Sequence, residues 1–545
     1  MKVGQKEFLM VCLLLLLIPC LSFAKGIMIE VEHPVIPVLV KKQVNPTIKI
    51  NLIRTDHRPY FVNQMDFDLQ GSTEISDITS VAVYGADKNG WIDTSQLLCK
   101  PISAMRNIRF TDQIKVDQDT LSLWIAVTLK DTVSLEHRIQ VGCKRIKTSI
   151  GNYTISDKDN TPLRVGVALR QQGQDGIASC RIPGITTTNK GTLLAIFDAR
   201  HDSSRDLQGD IDIALQRSTD KGLTWQPVQM VLDMGEWGGL PQKYNGVSDG
   251  CILVDKNSDD IYVAGLWMHG VLDANGKWTE GLTQQSNNWI HQWIQKGSQP
   301  GVGIKETSQF MITKSTDDGL TWSFLDNITG KTKRSEWWLF APAPGHGITL
   351  EDGTLVFPTQ GRDEKGGAFS NITYSKDKGK TWTTSNPAYQ DVTECNAAQL
   401  TDGTIMLNMR DNRNRGKKEN NGRRICTTSD LGETWIEHPT SRKALMEPTC
   451  MASLHRHEYS KDGQKKSILL FANPNDYRTR DKLTLKVSFD DGMTWPESHW
   501  ILFDQYQSAG YSSITSIDED SIGILYESSQ AELVFIKVKL SEILK

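Results

Sequence analysis

Five aspartates recur in one setting: STDKGLTW at 218, STDDGLTW at 315, SKDKGKTW at 375, TSDLGETW at 428 and SFDDGMTW at 488. A carboxylate repeated in this way could serve catalysis or could shape the backbone, and the flanking residues favour the backbone. The Asp can accept hydrogen bonds from the amides of its own turn, and the Gly two places on supplies a positive φ. Thr-Trp then opens a strand whose indole packs between sheets. A second acidic stretch, DARHDSSRDLQGDIDIALQR (198–217), is not repeated and brings Asp202, Asp206, Asp210 and Asp212 close together. Asp210 and Asp212 fall in the run leading into the first repeat, where strand alternation suits a structural place. Cysteine offers less chemistry. Beyond residue 24 stand Cys99, Cys143, Cys180, Cys251, Cys395, Cys426 and Cys450, an odd number with no C-x-x-C pair. They give neither a disulfide framework nor a zinc site, and read as small buried apolar groups, with a Cys99–Cys143 bridge left open.

The elements that must carry these residues are strands. The repeats start 97, 60, 53 and 60 residues apart, and each follows a β-like run, IDIALQR before the first and LTLKV before the last. A unit of that length ending in a fixed hairpin matches a four-stranded propeller blade of about 50 residues. The long first interval holds GLWMHG and SNNWIHQW, read as a loop excursion. From Ile27 to Thr154, runs such as TIKINLIRT, SVAVYG and LSLWIAVTLK alternate with turns and show no sustained helical period, which predicts an antiparallel β-sandwich. The polar SDKDNTP at 156–162 marks the boundary. The expected fold is all-β: a six-bladed β-propeller over 161–545 behind a β-sandwich over 25–160.

The first residues, MKVGQKEFLMVCLLLLLIPCLSFAKG, place Lys2 and Lys6 ahead of an apolar run and small residues at 22 and 24. This predicts a signal peptide over 1–24, cut after Ala24, and a secreted or periplasmic product. A membrane anchor is the alternative, but the run is short against the roughly 20 apolar residues a span needs. Lipidation of Cys20 is another, and Pro19 fits it poorly. The remainder is a globular chain: 38% of its 545 residues are hydrophobic, enough for a large core. Its net charge of −4 becomes one unit more negative once Lys2, Lys6 and Glu7 leave. No basic face is available for nucleic acid.

The repeats are Asp-boxes, and residues from about 165 to 545 resemble the bacterial exo-α-sialidases (neuraminidases). Propellers without that activity carry the box too, so the resemblance must be weighed on residues outside it. It implies three arginines that bind the substrate carboxylate: Arg181 in CRIPGI, Arg410 in LNMRD and Arg480 in NDYRTRDKLTL, where Arg478 stands close by. Guanidinium groups stay charged and match a carboxylate bidentately. It also implies Tyr511 in SAGYSSI as nucleophile and Glu394 in TECNAAQ as its base. The chemistry agrees, because a carboxylate nucleophile would be repelled by the substrate's own carboxylate and a phenol would not. The resemblance gives Asp206 the acid/base role and sets Arg200 and Asp249 on the hydroxyl and N-acetyl side, with Gln360 at a strand end expected to face the same cavity. No metal or organic cofactor is implied, and the expected partners are sialylated glycoproteins, gangliosides and oligosaccharides acted on by a monomer. The N-terminal domain resembles an accessory carbohydrate-binding domain, whose Tyr60, Phe61, Trp91 and Trp124 form a sugar platform unless they are core. Rival readings are a trans-sialidase, a propeller lectin that binds without cleaving, and a receptor propeller that shares only the boxes.

Overall fold

Strands dominate because β-branched and aromatic residues alternate with polar ones through short runs punctuated by Gly, Asp and Asn. In Ile27–Glu32, for instance, Ile27, Ile29 and Val31 are buried and the residues between them half-buried. The computed structural model describes residues 20–24, 26–157, 160–207, 209–237, 242–269, 298–304, 306–417 and 419–545. The expected signal peptide falls mostly outside them. Its last residues, Cys20–Ala24, form a strand antiparallel to Ile27–Val31. Most of the expected excursion, at 270–297, also lies outside the described residues.

The chain forms two units. The first contains two sheets. One, of six strands, runs in the order Cys20–Ala24, Ile27–Glu32, Asn45–Arg54, Thr120–Leu129, Ile78–Ala86 and Ile92–Ser103. The other joins Asn152–Thr154, Gly142–Thr148, Tyr60–Asp68 and Asn107–Phe110, with Ile114–Val116 on Tyr60–Asp68. Of the four aromatics considered as a sugar platform, Tyr60 and Trp124 are buried, and Trp91 packs edge-on against Trp124 at 5.4 Å. Only Phe61 is exposed, so these four are chiefly core. Cys99 and Cys143 are buried and unbridged, as are the five cysteines of the second unit.

The second unit holds six further sheets. It also draws two segments from ahead of residue 160: Val38–Val40 pairs parallel with Leu163–Arg170, and Arg138–Ile139 pairs antiparallel with it. A single cut at 160 therefore does not separate the units. Leu163–Arg170 is completed from the far end of the chain, by Leu533–Lys539, Ser521–Tyr526 and Ser512–Asp518 in succession. Between these ends, five sheets follow in sequence order, opening with strands Ser179–Thr187, Asn245–Val254, Leu339–Pro342, Val392–Gln399 and Ser453–Lys461, and antiparallel but for Gly345–His346, which pairs parallel with Asn245–Val254. Each of the five ends its third long strand in an Asp-box.

The box geometry explains the repeat. Asp220 accepts from Thr224 N (2.9 Å), and the Ser218 hydroxyl accepts from Gly222 N (2.9 Å). Asp317, Asp377, Asp430 and Asp490 make the same bond to Thr321, Thr381, Thr434 and Thr494. Gly222 has φ 89°, and Lys221 before it φ 60°. Every box carboxylate is spent on its own turn.

Candidate active site

Of the residues singled out by sequence, Arg181, Asp249 and Glu394 stand in the opening strands of their sheets, and backbone irregularities aim them. The ladder shifts register between Arg181 and Gly184, between Ser248 and Cys251, and between Val392 and Cys395. Bulges of this kind turn a side chain out of the strand's alternation. Ile182 has φ 59° and Asp249 φ 56°. Positive φ is a strained state for a β-branched residue, held only where the surroundings fix it.

Glu527, which no motif in the sequence marked, does part of that fixing. It is buried, and its Oε1 accepts from Arg181 Nε at 2.5 Å and from Ile182 N at 3.0 Å, while Oε2 accepts from Tyr511 N at 2.9 Å. Burial opposes its charge, but Arg181 and the two amides outweigh burial and hold the carboxyl below its ordinary range. One carboxylate thus ties the start of the Ser179–Thr187 strand to the segment that carries Tyr511.

Tyr511 lies with Ile182, Cys450 and Met451 in a small apolar cluster. Its hydroxyl donates a short hydrogen bond to Glu394 Oε1. Arg410 Nη1 donates to Glu394 Oε2 at 2.5 Å and to the Tyr511 hydroxyl at 3.0 Å. Burial first, then the Glu394 charge, pushes the phenol well above its usual pKa, and Arg410 pulls the other way. The phenol therefore rests neutral, with an acceptor already in line for its proton. The guanidinium carbons of Arg181 and Arg480 stand 6.0 and 5.6 Å from the Tyr511 ring centroid. Arg480 is anchored through Nη1 to the Ala509 carbonyl (2.8 Å) and through Nη2 to that of Thr449 (3.4 Å), whereas neighbouring Arg478 is exposed. Arg181 Nη1 and Nη2 and Arg410 Nη2 have no protein acceptor among the described residues. Three cations thus surround one phenol with donors to spare, an arrangement suited to a planar anion.

A second group faces the first. Arg200 donates to Asp206 (2.5 Å), Asp198 (3.0 Å) and the Ser204 carbonyl (2.9 Å). Asp198 is buried and its other oxygen accepts from Asp249 N (3.1 Å). Burial, with Arg200 opposing and Asp206 adding, lifts the Asp198 carboxyl to about 7. Asp249 is pushed well up by burial and then by the charges of Asp206, Glu394 and Asp198. Asp206 differs in exposure: 63% of its side chain is open, on the loop before Ile211–Ser218. The base of that loop is pinned by His201 Nε2 on Asp212 Oδ2 at 2.9 Å. Gln360 is not drawn into either group, since its buried amide turns to the Pro342 carbonyl at 3.4 Å.

Known proteins resemble this chain over most of its length. Residues 182–527 match the family model for a BNR repeat-like domain, and 27–106 that for the N-terminal domain of BNR-repeat neuraminidase. A sialidase of Bacteroides fragilis (strain YCH46) is 36% identical over 546 residues, covering 95% of each chain. The solved Hadza microbial sialidase Hz136 superposes with TM-score 0.82 at 32% identity, covering 94% of this chain and 99% of that one. Trypanosoma rangeli sialidase, solved as a covalent intermediate with 2,3-difluorosialic acid, shares the fold over 70% of this chain and 59% of its own, at TM-score 0.53 and 21% identity.

Proposed function

The chain belongs to the BNR-repeat neuraminidase family and is an exo-α-sialidase, and from that premise we propose that it is a retaining hydrolase working through a sialyl-tyrosine intermediate. The reading is carried by the Tyr511 hydroxyl, buried on Glu394 and bridged to it by Arg410. Arg181, Arg410 and Arg480 receive the carboxylate of a terminal sialic acid on a glycoprotein, ganglioside or oligosaccharide. As the Tyr511 oxygen bonds to the anomeric carbon, its proton passes to Glu394. The glycosidic bond breaks, and its oxygen takes a proton from Asp206. Asp206 then removes a proton from water, whose oxygen attacks the same carbon. The phenol leaves and recovers its proton from Glu394, which restores the resting state and retains the anomeric configuration.

Burial keeps the nucleophile dry, while exposure lets Asp206 meet both the leaving group and water. Arg200, Asp198 and Asp249 hold the wall beside Asp206. Gln360 reaches the sugar only if its amide leaves Pro342. The six sheets of the second unit are read as the blades of a propeller, the first unit as an accessory sandwich, and the product as secreted or periplasmic and monomeric. On an aryl sialoside, Tyr511→Phe is expected to lose several orders of magnitude in turnover, and turnover near that of the parent would reject the nucleophile assignment. Incubation with sialyllactose and excess lactose separates the outcomes further: free sialic acid marks hydrolysis, a new sialoside marks transfer, and binding without turnover marks a lectin.

A further inference from the structure

Behind Arg410 lies an ion pair that the chemistry does not use. Arg423 and Glu447 are both fully buried, with Nη1 and Oε2 2.6 Å apart. Such a pair gives stability poorly, because desolvation offsets most of the attraction. Its hydrogen bonds point elsewhere. Glu447 Oε1 accepts from Asp411 N at 2.8 Å, the amide directly after Arg410, and from Asn414 Nδ2 at 2.7 Å. Arg423 Nη1 also donates to the Cys450 carbonyl at 2.7 Å, and Nε to Asn408 Oδ1 at 2.7 Å. Cys450 follows Thr449, which sits at φ 57° and whose carbonyl receives Arg480 Nη2. Cys450 itself packs under Tyr511. A single buried pair therefore holds the backbone next to Arg410 on one side and the backbone that receives Arg480 on the other.

We propose that Arg423 and Glu447 are positioning residues that fix the separation of Arg410 and Arg480, and so set the enzyme's affinity for the substrate carboxylate. This rests on the assignment of those two arginines to carboxylate binding. Asp411 is a further buried charge in the same wall, shared among Arg413 (2.8 Å), Arg424 (3.8 Å) and Arg442 (3.7 Å). The link to the Cys450 carbonyl is made by Arg423 of the Arg423–Glu447 pair.

A double-mutant cycle on the full-length enzyme tests the proposal, with KM and kcat for an aryl sialoside as readouts. Glu447→Gln keeps an acceptor for Asp411 N but removes the charge, and it should raise KM about tenfold with a smaller change in kcat. In an Arg410→Ala background, the same substitution should raise KM by clearly less than in the parent, because one of the two groups whose separation it fixes is gone. Arg423→Lys keeps the charge without the planar fork and should behave alike, so it serves if Glu447→Gln does not fold. An unchanged KM in folded Glu447→Gln or Arg423→Lys would overturn the proposal, as would an equal rise in both backgrounds. If Arg410→Ala alone leaves KM untouched, the carboxylate assignment fails, an outcome distinct from either.

Discussion

Glu527→Gln is the substitution whose effect can be worked most fully from the geometry. The carboxylate accepts three hydrogen bonds, two on Oε1 and one on Oε2. A glutamine has one acceptor oxygen, and its NH2 must face a donor on the other side. The cheaper orientation keeps oxygen toward Arg181 Nε and Ile182 N and turns the NH2 toward Tyr511 N. An unsatisfied buried amide costs about 1–3 kcal/mol, and the charge-assisted part of the Arg181 bond is lost with it. Together these come to about 2–4 kcal/mol, spent at the backbone of the proposed nucleophile. If half or more of that appears in the transition state, kcat/KM on an aryl sialoside falls by about fivefold to nearly a thousandfold at neutral pH. The stability effect has a defined pH course. The folded pKa of Glu527 lies below its ordinary 4.5, so the parent holds this stability in full above that pH and loses it as pH falls toward the folded value. The melting temperatures of parent and variant should therefore differ at pH 7 and converge in acid. A folded variant with kcat/KM within threefold of the parent would refute the view that Glu527 holds Tyr511 and Arg181 in register.

Two further outcomes follow from the same structure. Asp206→Ala should slow cleavage of natural sialosides far more than of aryl sialosides with good leaving groups, and an equal loss on both would remove Asp206 from the acid role. His346, His455 and His457 are held neutral, chiefly by burial, with pKa values below the ordinary 6.5. The unfolded chain binds their protons first, so the urea midpoint should drop as pH falls below about 6.5 and drop less in His346→Gln. Identical slopes in parent and variant would exclude His346 from that dependence.

The sequence made some of this arrangement legible and hid the rest for physical reasons. Asp-boxes announce themselves because turn, glycine and indole sit within eight residues, so their hairpins could be placed without tertiary knowledge. Tyr511, Glu394 and Arg410 were marked by short motifs, and the structure brings all three into mutual hydrogen bonds. Glu527 was invisible: it follows a strand in LYESS like many surface glutamates, and its three donors arrive from residues 181, 182 and 511. Asp198 was hidden similarly, as one alternating position in an apolar strand. Arg423 and Glu447 lie in stretches with no motif. The unit boundary misled because Val38–Val40 and Arg138–Ile139 look like any strands of the region around them. Only their pairing with Leu163–Arg170 assigns them elsewhere.

That pairing sets a timetable for the enzyme. Leu163–Arg170 emerges from the ribosome long before its neighbour Leu533–Lys539. Tyr511 and Glu527 belong to the same late segment. A nascent chain can lay down most of its sheets and close every Asp-box hairpin while it still lacks the proposed nucleophile and the carboxylate that seats Arg181. The proposed site is therefore completed only after residues 511–527 have been made, later than every sheet that supplies its other residues.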